Sequence, residues 1–306
     1  MAVNNADHIV RQKFSSLLVP GYKHFPFADL PVELALRILS LAVGISQGTY
    51  RSLILTNQLI SGYVRHHMLP LVPVMLTSKK QVYAFDAYLR TSPEVIAQIH
   101  HLWTIAPGSV YASRDVCVSV IKRCTSLRSL ACHPHVLEEA FRYAPTLEHK
   151  HCTSLTLFQF RVLWAPSLAN RHTAFAQLLH QVQRLHFIGC LDEPAWSNAD
   201  ARLPKLDNVR RVSVATGSCS SLLGATYENL LQSPKLEQLV ITTRLHGEPQ
   251  QNLKLAAPAI DHRIGIMHRR RRWKEHNLWR DGLQDAEAFW TQAAEEKDLP
   301  PAPRRP

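Results

Sequence analysis

A six-residue string of the form apolar-x-x-apolar-x-apolar recurs at nearly fixed spacing through the middle of this 306-residue chain. It occupies residues 99–104, 127–132, 152–157, 182–187, 209–214 and 236–241, with a degraded seventh copy at 261–266. The fourth residues of these strings are Leu102, Leu130, Leu155, Leu185, Val212, Leu239 and Ile264, so the step averages 27 residues and stays between 25 and 30. Alternation within each string fits a β-strand with one buried face. Between the strings lie helix-patterned segments at 114–124, 135–143, 167–182 and 220–232. A strand–helix unit of this size cannot bury its own apolar faces, but stacked neighbours bury them for one another.

The period falls within the roughly 20–29 residues of leucine-rich-type repeats. An ordinary doubly wound sheet also alternates strand and helix, but it has no reason for even spacing. The Asn or Cys that usually follows the strand of such a repeat is clear only as Cys190, so the turns must be closed by varied chemistry. The expected fold class is α/β. An N-terminal helical module leads into an irregular solenoid of about seven strand–helix units, closed by a C-terminal capping helix.

Composition narrows the function classes. There are only 11 glycines, and the closest pair, Gly44 and Gly48, has no Lys-Ser/Thr after it. That argues against a P-loop or a Rossmann cofactor site. A net charge of +11 favours acidic partners. No apolar run approaches the ~18 residues of a bilayer span, so no membrane partner is expected. The first 14 residues carry neither an apolar signal core nor a cleavage site. The six cysteines then read as free thiols of a reducing compartment, and a cytoplasmic or nuclear location is expected.

Positions three and five of each string point away from the strand's buried side. Those rows read His101, Ser129, Ser154, Arg184, Arg211, Gln238 and Arg263, with Trp103, Ala131, Thr156, His186, Ser213, Val240 and Gly265. None is acidic, and the basic residues gather in the later copies. A single-sign surface suits an acidic or phosphorylated protein segment, with arginine able to grip it bidentately. His101, Trp103, Arg184, His186, Arg211 and Arg263 are the candidate target-binding residues. The bland alternative is a solvated strand face whose charge keeps the protein soluble.

The N-terminal module opens with Leu30-Pro31-Val-Glu33-Leu34-Ala-Leu-Arg-Ile38-Leu39. Pro31 suits a helix start, and Glu33 lies near the positive end of the helix dipole. Leu34, Ile38 and Leu41 form one apolar stripe, and Leu36, Leu39 and Val43 form a second. A module of about 40 residues has too little material to cover both. Either the repeat domain or a partner protein must cover the second stripe.

This opening resembles the F-box, and residues 50–61, with Leu53, Leu55 and Leu59, resemble its second helical portion. The continuation 68–93 and the spaced Trp279 and Trp290 are similar to F-box-like proteins of mushroom-forming fungi. The resemblance implies a non-enzymatic substrate receptor of a cullin-RING ubiquitin ligase. Leu30, Pro31, Leu34, Ile38, Leu39, Leu53 and Leu55 would dock a Skp-type adaptor, and the repeats would hold a target. The implied organisation is a leader (1–27), an F-box-like module (28–70), a solenoid (71–268) and a C-terminal region (269–306). That region holds a basic run, the capping helix and a proline-rich tail expected to be disordered.

Other chemistry finds less support. Cys132, His133, His135, His149, His151 and Cys152 cluster in sequence, but without Cys-x-x-Cys or His-x-x-x-His spacing, so no metal or other cofactor is expected. No cysteine carries a nucleophile signature, and no catalytic residue is assigned. The run Arg269 to Arg272 admits a rival reading, a repeat scaffold that touches nucleic acid or proteins without any ligase role. A solvated edge after the last repeat is the simpler account of that run, and nucleic acid is not the expected partner. Leu283, Ala286, Phe289, Trp290, Ala293 and Ala294 form one helical face, suited to capping the last repeat.

Overall fold

The computed structural model describes residues 30–56, 58–104, 114–141, 144, 147–158, 174–188, 207–216, 231–243, 248–268, 275–285 and 287–298. The leader, the basic run, the proline-rich tail, Cys190 and nearly all of the helix expected at 220–232 lie outside these residues. The chain forms two compact units, Met1–Val74 and Met75–Pro306.

In the first unit, α1 (Val32–Ile45) starts where Pro31 fixes the backbone, and the Pro31 carbonyl accepts from the amides of Leu34 and Ala35 at 3.0 Å. It stops at Ser46, whose extended backbone also opens α2 (Gln47–Ile54). The Ser46 hydroxyl accepts from the Thr49 amide at 3.0 Å, an N-cap that satisfies one orphan donor. Next come α3 (Gln58–Tyr63), a π-helical turn Val64–Met68 and a 3-10 turn Leu69–Leu71. The turns pack on α1, and Ala35, Leu39, Val43, Val64, Met68 and Leu69 are buried.

The repeat strings are strands of one sheet: β1 (Pro73–Leu76), β2 (His101–Thr104), β3 (Ser129–Cys132), β4 (Ser154–Phe158), β5 (Arg184–Ile188), β6 (Arg211–Thr216), β7 (Gln238–Thr243) and β8 (Ile264–His268). Their spatial order is their chain order, and every pairing from β2 to β8 is parallel. A doubly wound sheet would reverse its order at a switch point; this one never does. The unit is a parallel strand–helix solenoid.

Eight strands stand where seven were expected. The extra one, β1, satisfies the same rule through Leu71, Val74 and Leu76, with Val74 28 residues before Leu102. Pro73 disguised it. A proline cannot donate to a ladder, yet β1 ends the sheet order, where a missing donor is tolerated.

The fourth-position row is in register across the sheet: Leu102, Leu130, Leu155, Leu185, Val212, Leu239 and Ile264 are each at most 1% exposed. The return segments include α4 (Lys79–Thr91), α5 (Arg114–Arg123), α6 (Pro134–Phe141), α7 (Ala174–Gln181) and α8 (Glu248–Ile260). Consecutive helices from α4 to α7 pack on one another. A backbone device repeats with the strands. The carbonyls of His100, Arg128, Thr153, Gln183 and Arg210 each accept two successive amides entering the next strand, at 2.7–3.1 Å. Because the main chain makes these bonds, the side chains beside them are free to vary.

Shortening a member of the central row leaves a cavity that rigid neighbours on both sides cannot close. Leu155→Ala is expected to destabilise the protein by about 2–5 kcal/mol. A urea midpoint unchanged from wild type would show that the row does not carry the core.

Candidate functional site

The outward rows lie on one face, as alternation requires, but that face is covered. Two helices, α9 (Glu275–Gln284) and α10 (Ala288–Asp298), return across it. A single helix had been expected to cap the last repeat. The break between the two comes at Asp285, whose Oδ1 accepts from the amides of Glu287 and Ala288 at 3.1 and 2.9 Å and so starts a new helix. From there α9 reaches back over β2 and β3, while α10 lies on β7 and β8.

The outward residues show why the face cannot stay bare. Trp103, Ala131 and Phe158 are buried in one cluster with Trp279, joined by the half-buried Ile188 and Leu283. The Trp103 and Trp279 rings meet edge to face with centroids 5.5 Å apart. The indole N–H of Trp279 donates to Ser129 Oγ at 3.1 Å. Val240, Met267, Trp290 and Ala293 form a second buried cluster, with Phe289 against it. The side chain of Gln238 donates to the Trp290 carbonyl at 3.0 Å.

The expected target-binding residues now have definite places. Arg184 and Arg211, register partners on β5 and β6, converge on one carboxylate, Glu287, just before α10. Arg184 reaches Oε1 at 2.9 Å and Arg211 donates to Oε2. Arg211 also lies 5.8 Å over the Trp290 ring. The acidic group facing the basic row is therefore supplied by the chain itself. His186 packs against the rings of Trp290 and Phe289, 5.3 and 5.8 Å away, and burial with the nearby Arg184 charge lowers its pKa to about 4. His101 falls to about 4 as well, through burial first and then the charges of His100 and Arg128.

Arg263 does not belong to this group. Its guanidinium grips Asp261 at 2.7 Å and reaches the Leu231 and Leu236 carbonyls at 2.6 and 3.3 Å, which ties β8 to the turn before β7. That pairing holds the Asp261 carboxyl down at about 2. The residue that degrades the seventh string is thus half of a staple.

Between the sheet and the two helices lies a chamber of about 250 Å³. Trp279, Leu283, Phe289 and Trp290 roof it, while Ser129, Ser154, Thr156, His186 and Ser213 form part of its floor. The Thr156 hydroxyl and His101 Nδ1 are buried without a hydrogen-bond partner among the described residues. Sequence reasoning missed this chamber because it stopped at position five of each string. Of the next outward positions, Ile105, Phe158, Ile188, Ala215 and Met267 are apolar, against only His133 and Thr242, and they announce a cover.

The adaptor residues of the first unit also divide. Leu34 and Ile38 are exposed, with Leu41 and Ile45 continuing the line, and Pro31 and Leu55 are exposed too. Leu30 and Leu53 are half-buried. Leu39 is 5% exposed and belongs to the core of the unit, because its spacing from Ala35 and Val43 puts it on the inner side of α1. Among the described residues no group of three or more His, Cys, Asp or Glu is placed to hold a metal. His149 Nε2 is bonded to the Ile121 carbonyl at 2.8 Å, and burial raises the Cys152 thiol to about 12. No helix among the described residues is long and apolar enough to cross a membrane.

No protein-family model matches the chain, and no curated protein matches it significantly. Among solved structures, the leucine-rich repeat-containing protein LegL7 of Legionella pneumophila is similar at 12% identity and a TM-score of 0.37, covering 82% of this chain and 94% of that one.

Two outcomes follow from the covered face. Arg184→Glu with Arg211→Glu sets three acids together at Glu287, so amide hydrogen exchange across residues 288–293 should quicken while β3 and β4 stay protected. Equal protection in both regions would mean the ion pairs do not hold α10. The second concerns pH. His101, His133 and His186 all have folded pKa values lowered to about 4, against about 6.5 unfolded. The unfolded chain then binds more protons between those values, so their contribution is complete above pH 6.5 and lost as pH falls towards 4. Thermal melts should show a falling midpoint across that window, and His186→Gln should flatten it. A midpoint constant from pH 7 to 4.5 would contradict the burial of these rings.

Proposed function

We propose that the chain is a non-enzymatic substrate receptor of an SCF-type cullin-RING ubiquitin ligase. Its N-terminal helices dock a Skp-type adaptor, and its solenoid holds an acidic target protein. The observation that carries the reading is the open side of α1. Leu34, Ile38, Leu41 and Ile45 are 53, 40, 52 and 50% exposed at helical spacing, opposite the buried Ala35, Leu39 and Val43. Four large apolar side chains in one row on a short helical module are the mark of an interface rather than of a solvated surface. The F-box-like motif lies on this same helix. The receptor's role is to raise the target's effective concentration beside the ubiquitin-charged enzyme, which needs no catalytic group in this chain.

On the target side, Glu287 marks how an acidic residue is held between Arg184 and Arg211. A target carboxylate or phosphate competes with it for the same two guanidinium groups. His186, two positions from Arg184 and against the Trp290 ring, supports that contact from beneath α10, while His101 and Trp103 lie on β2 beneath α9.

The test uses the full chain with a recombinant fungal Skp-type adaptor. Wild-type protein should co-elute with the adaptor, and the complex should survive high salt because its contact is apolar. Leu34→Asp with Ile38→Asp should abolish co-elution while leaving the solenoid's thermal transition in place, since each change buries an unpaired charge in the contact. Wild type that never binds the adaptor, or a double variant that still does, would overturn the ligase reading.

A further inference from the structure

We infer that the chamber beneath α9 and α10 is a binding site for a small uncharged aromatic molecule, of one or two rings, with a hydrogen-bonding group on its edge. The chamber belongs to the second unit alone, so the inference stands apart from adaptor docking.

Size comes first. About 250 Å³ lies just under the ~300–1,000 Å³ of typical small-molecule pockets, which admits a flat one- or two-ring body and little more. The walls decide its character. Trp279, Leu283, Phe289 and Trp290 give the roof broad apolar and aromatic faces on which a ring stacks.

The floor decides the polar group. Thr156 is 1% exposed, stands on the outward side of β4 and lines the chamber, yet its hydroxyl has no partner among the described residues. A buried hydroxyl left unpaired costs about 1–3 kcal/mol, a debt that a ligand's donor or acceptor would cancel. His101, also lining the chamber, has Nδ1 in the same condition.

Charge is decided by what surrounds these groups. Among the described residues no acidic side chain lines the chamber. Of its two arginines, Arg184 is already neutralised by Glu287, and Arg128 is solvent-exposed. His101 and His186 remain neutral at pH 7. An ionised head would enter without a buried counter-charge and lose its hydration. A phenol-like or aza-aromatic edge suits the hydroxyls and imidazoles.

Gly282 supplies the means to test this. It sits on α9 against the chamber, and a Cβ added there meets no atom within 4 Å. A large side chain at this position fills the chamber without a clash at its root, and loss of glycine favours the helix. Calorimetric titration of the full chain would use three probes of one shape: 2-naphthol, naphthalene and 2-naphthoate. The expected order of affinity is 2-naphthol, then naphthalene, then 2-naphthoate.

Gly282→Phe should weaken 2-naphthol at least tenfold with helicity preserved, while Gly282→Ala should not. Thr156→Val should weaken 2-naphthol about three- to tenfold, the range of one net hydrogen bond, and leave naphthalene unchanged. Absence of binding by all three probes, or full affinity in Gly282→Phe, would overturn the site. Tighter binding of 2-naphthoate than of 2-naphthol would overturn the assignment of an uncharged ligand.

Discussion

A parallel sheet that carries large apolar side chains on both faces must have both of them covered, and much that is distinctive in this molecule follows from how the second cover is made. The first face is closed by the return helices of the repeats, which the 27-residue period supplies automatically. Among the described residues, the second has no helix of the repeats lying on it. It presents Trp103, Phe158, Val240 and Met267, too much apolar surface for water. The chain therefore spends its C-terminal residues on that face. Trp279 seals the early strands and Trp290 the late ones.

This arrangement is held at few points, and they differ in kind. At each end the attachment is aromatic and buried, and a hydrogen bond accompanies it: Trp279 to Ser129, and Gln238 to the Trp290 carbonyl. In the middle it is ionic and half-exposed, through Glu287 and its two arginines. Exposed ion pairs contribute little to stability, about 0–1 kcal/mol, whereas aromatic burial contributes several times more. The anchors thus set the position of the helices, and Glu287 sets the charge of the face beneath them. Between the anchors the helices stand off the sheet, and the chamber is the space that remains.

The solenoid was legible in the sequence because its determinant is local and periodic. Leu102 through Ile264 obey one rule, and the structure puts them in one row. The eighth strand was legible by the same rule and was hidden only by Pro73. The cover was harder to read. Its residues lie up to 176 positions from those they meet, as Trp279 does from Trp103, and no period links the two sets. The clue was compositional, an apolar residue at a strand position where a solvated face would carry a polar one. The side of α1 facing its own unit could not be assigned from the sequence either. Leu34, Leu39 and Ile38 are equally apolar, and only the packing of the following turns distinguishes the buried Leu39 from its exposed neighbours.

Two open features among the described residues have opposite chemistry, and that separates what each can bind. The stripe on α1 is apolar, exposed and long enough to meet another helix, so it suits a protein surface whose burial is driven by area. The chamber is small, its floor offers hydroxyls and neutral imidazoles, and its roof is aromatic, so it suits a ring better than a protein segment. The Arg184–Glu287–Arg211 bridge lies beside the chamber because Arg184 lines it, and it reaches solvent as well. A ligand that stacks on Trp290 and an acid that displaces Glu287 would act on the same helix from two sides. Coupling between two such events would run through α10 or through Arg184, which touches both. The free energy available to it is limited by how differently each of them binds when α10 is seated and when it is released.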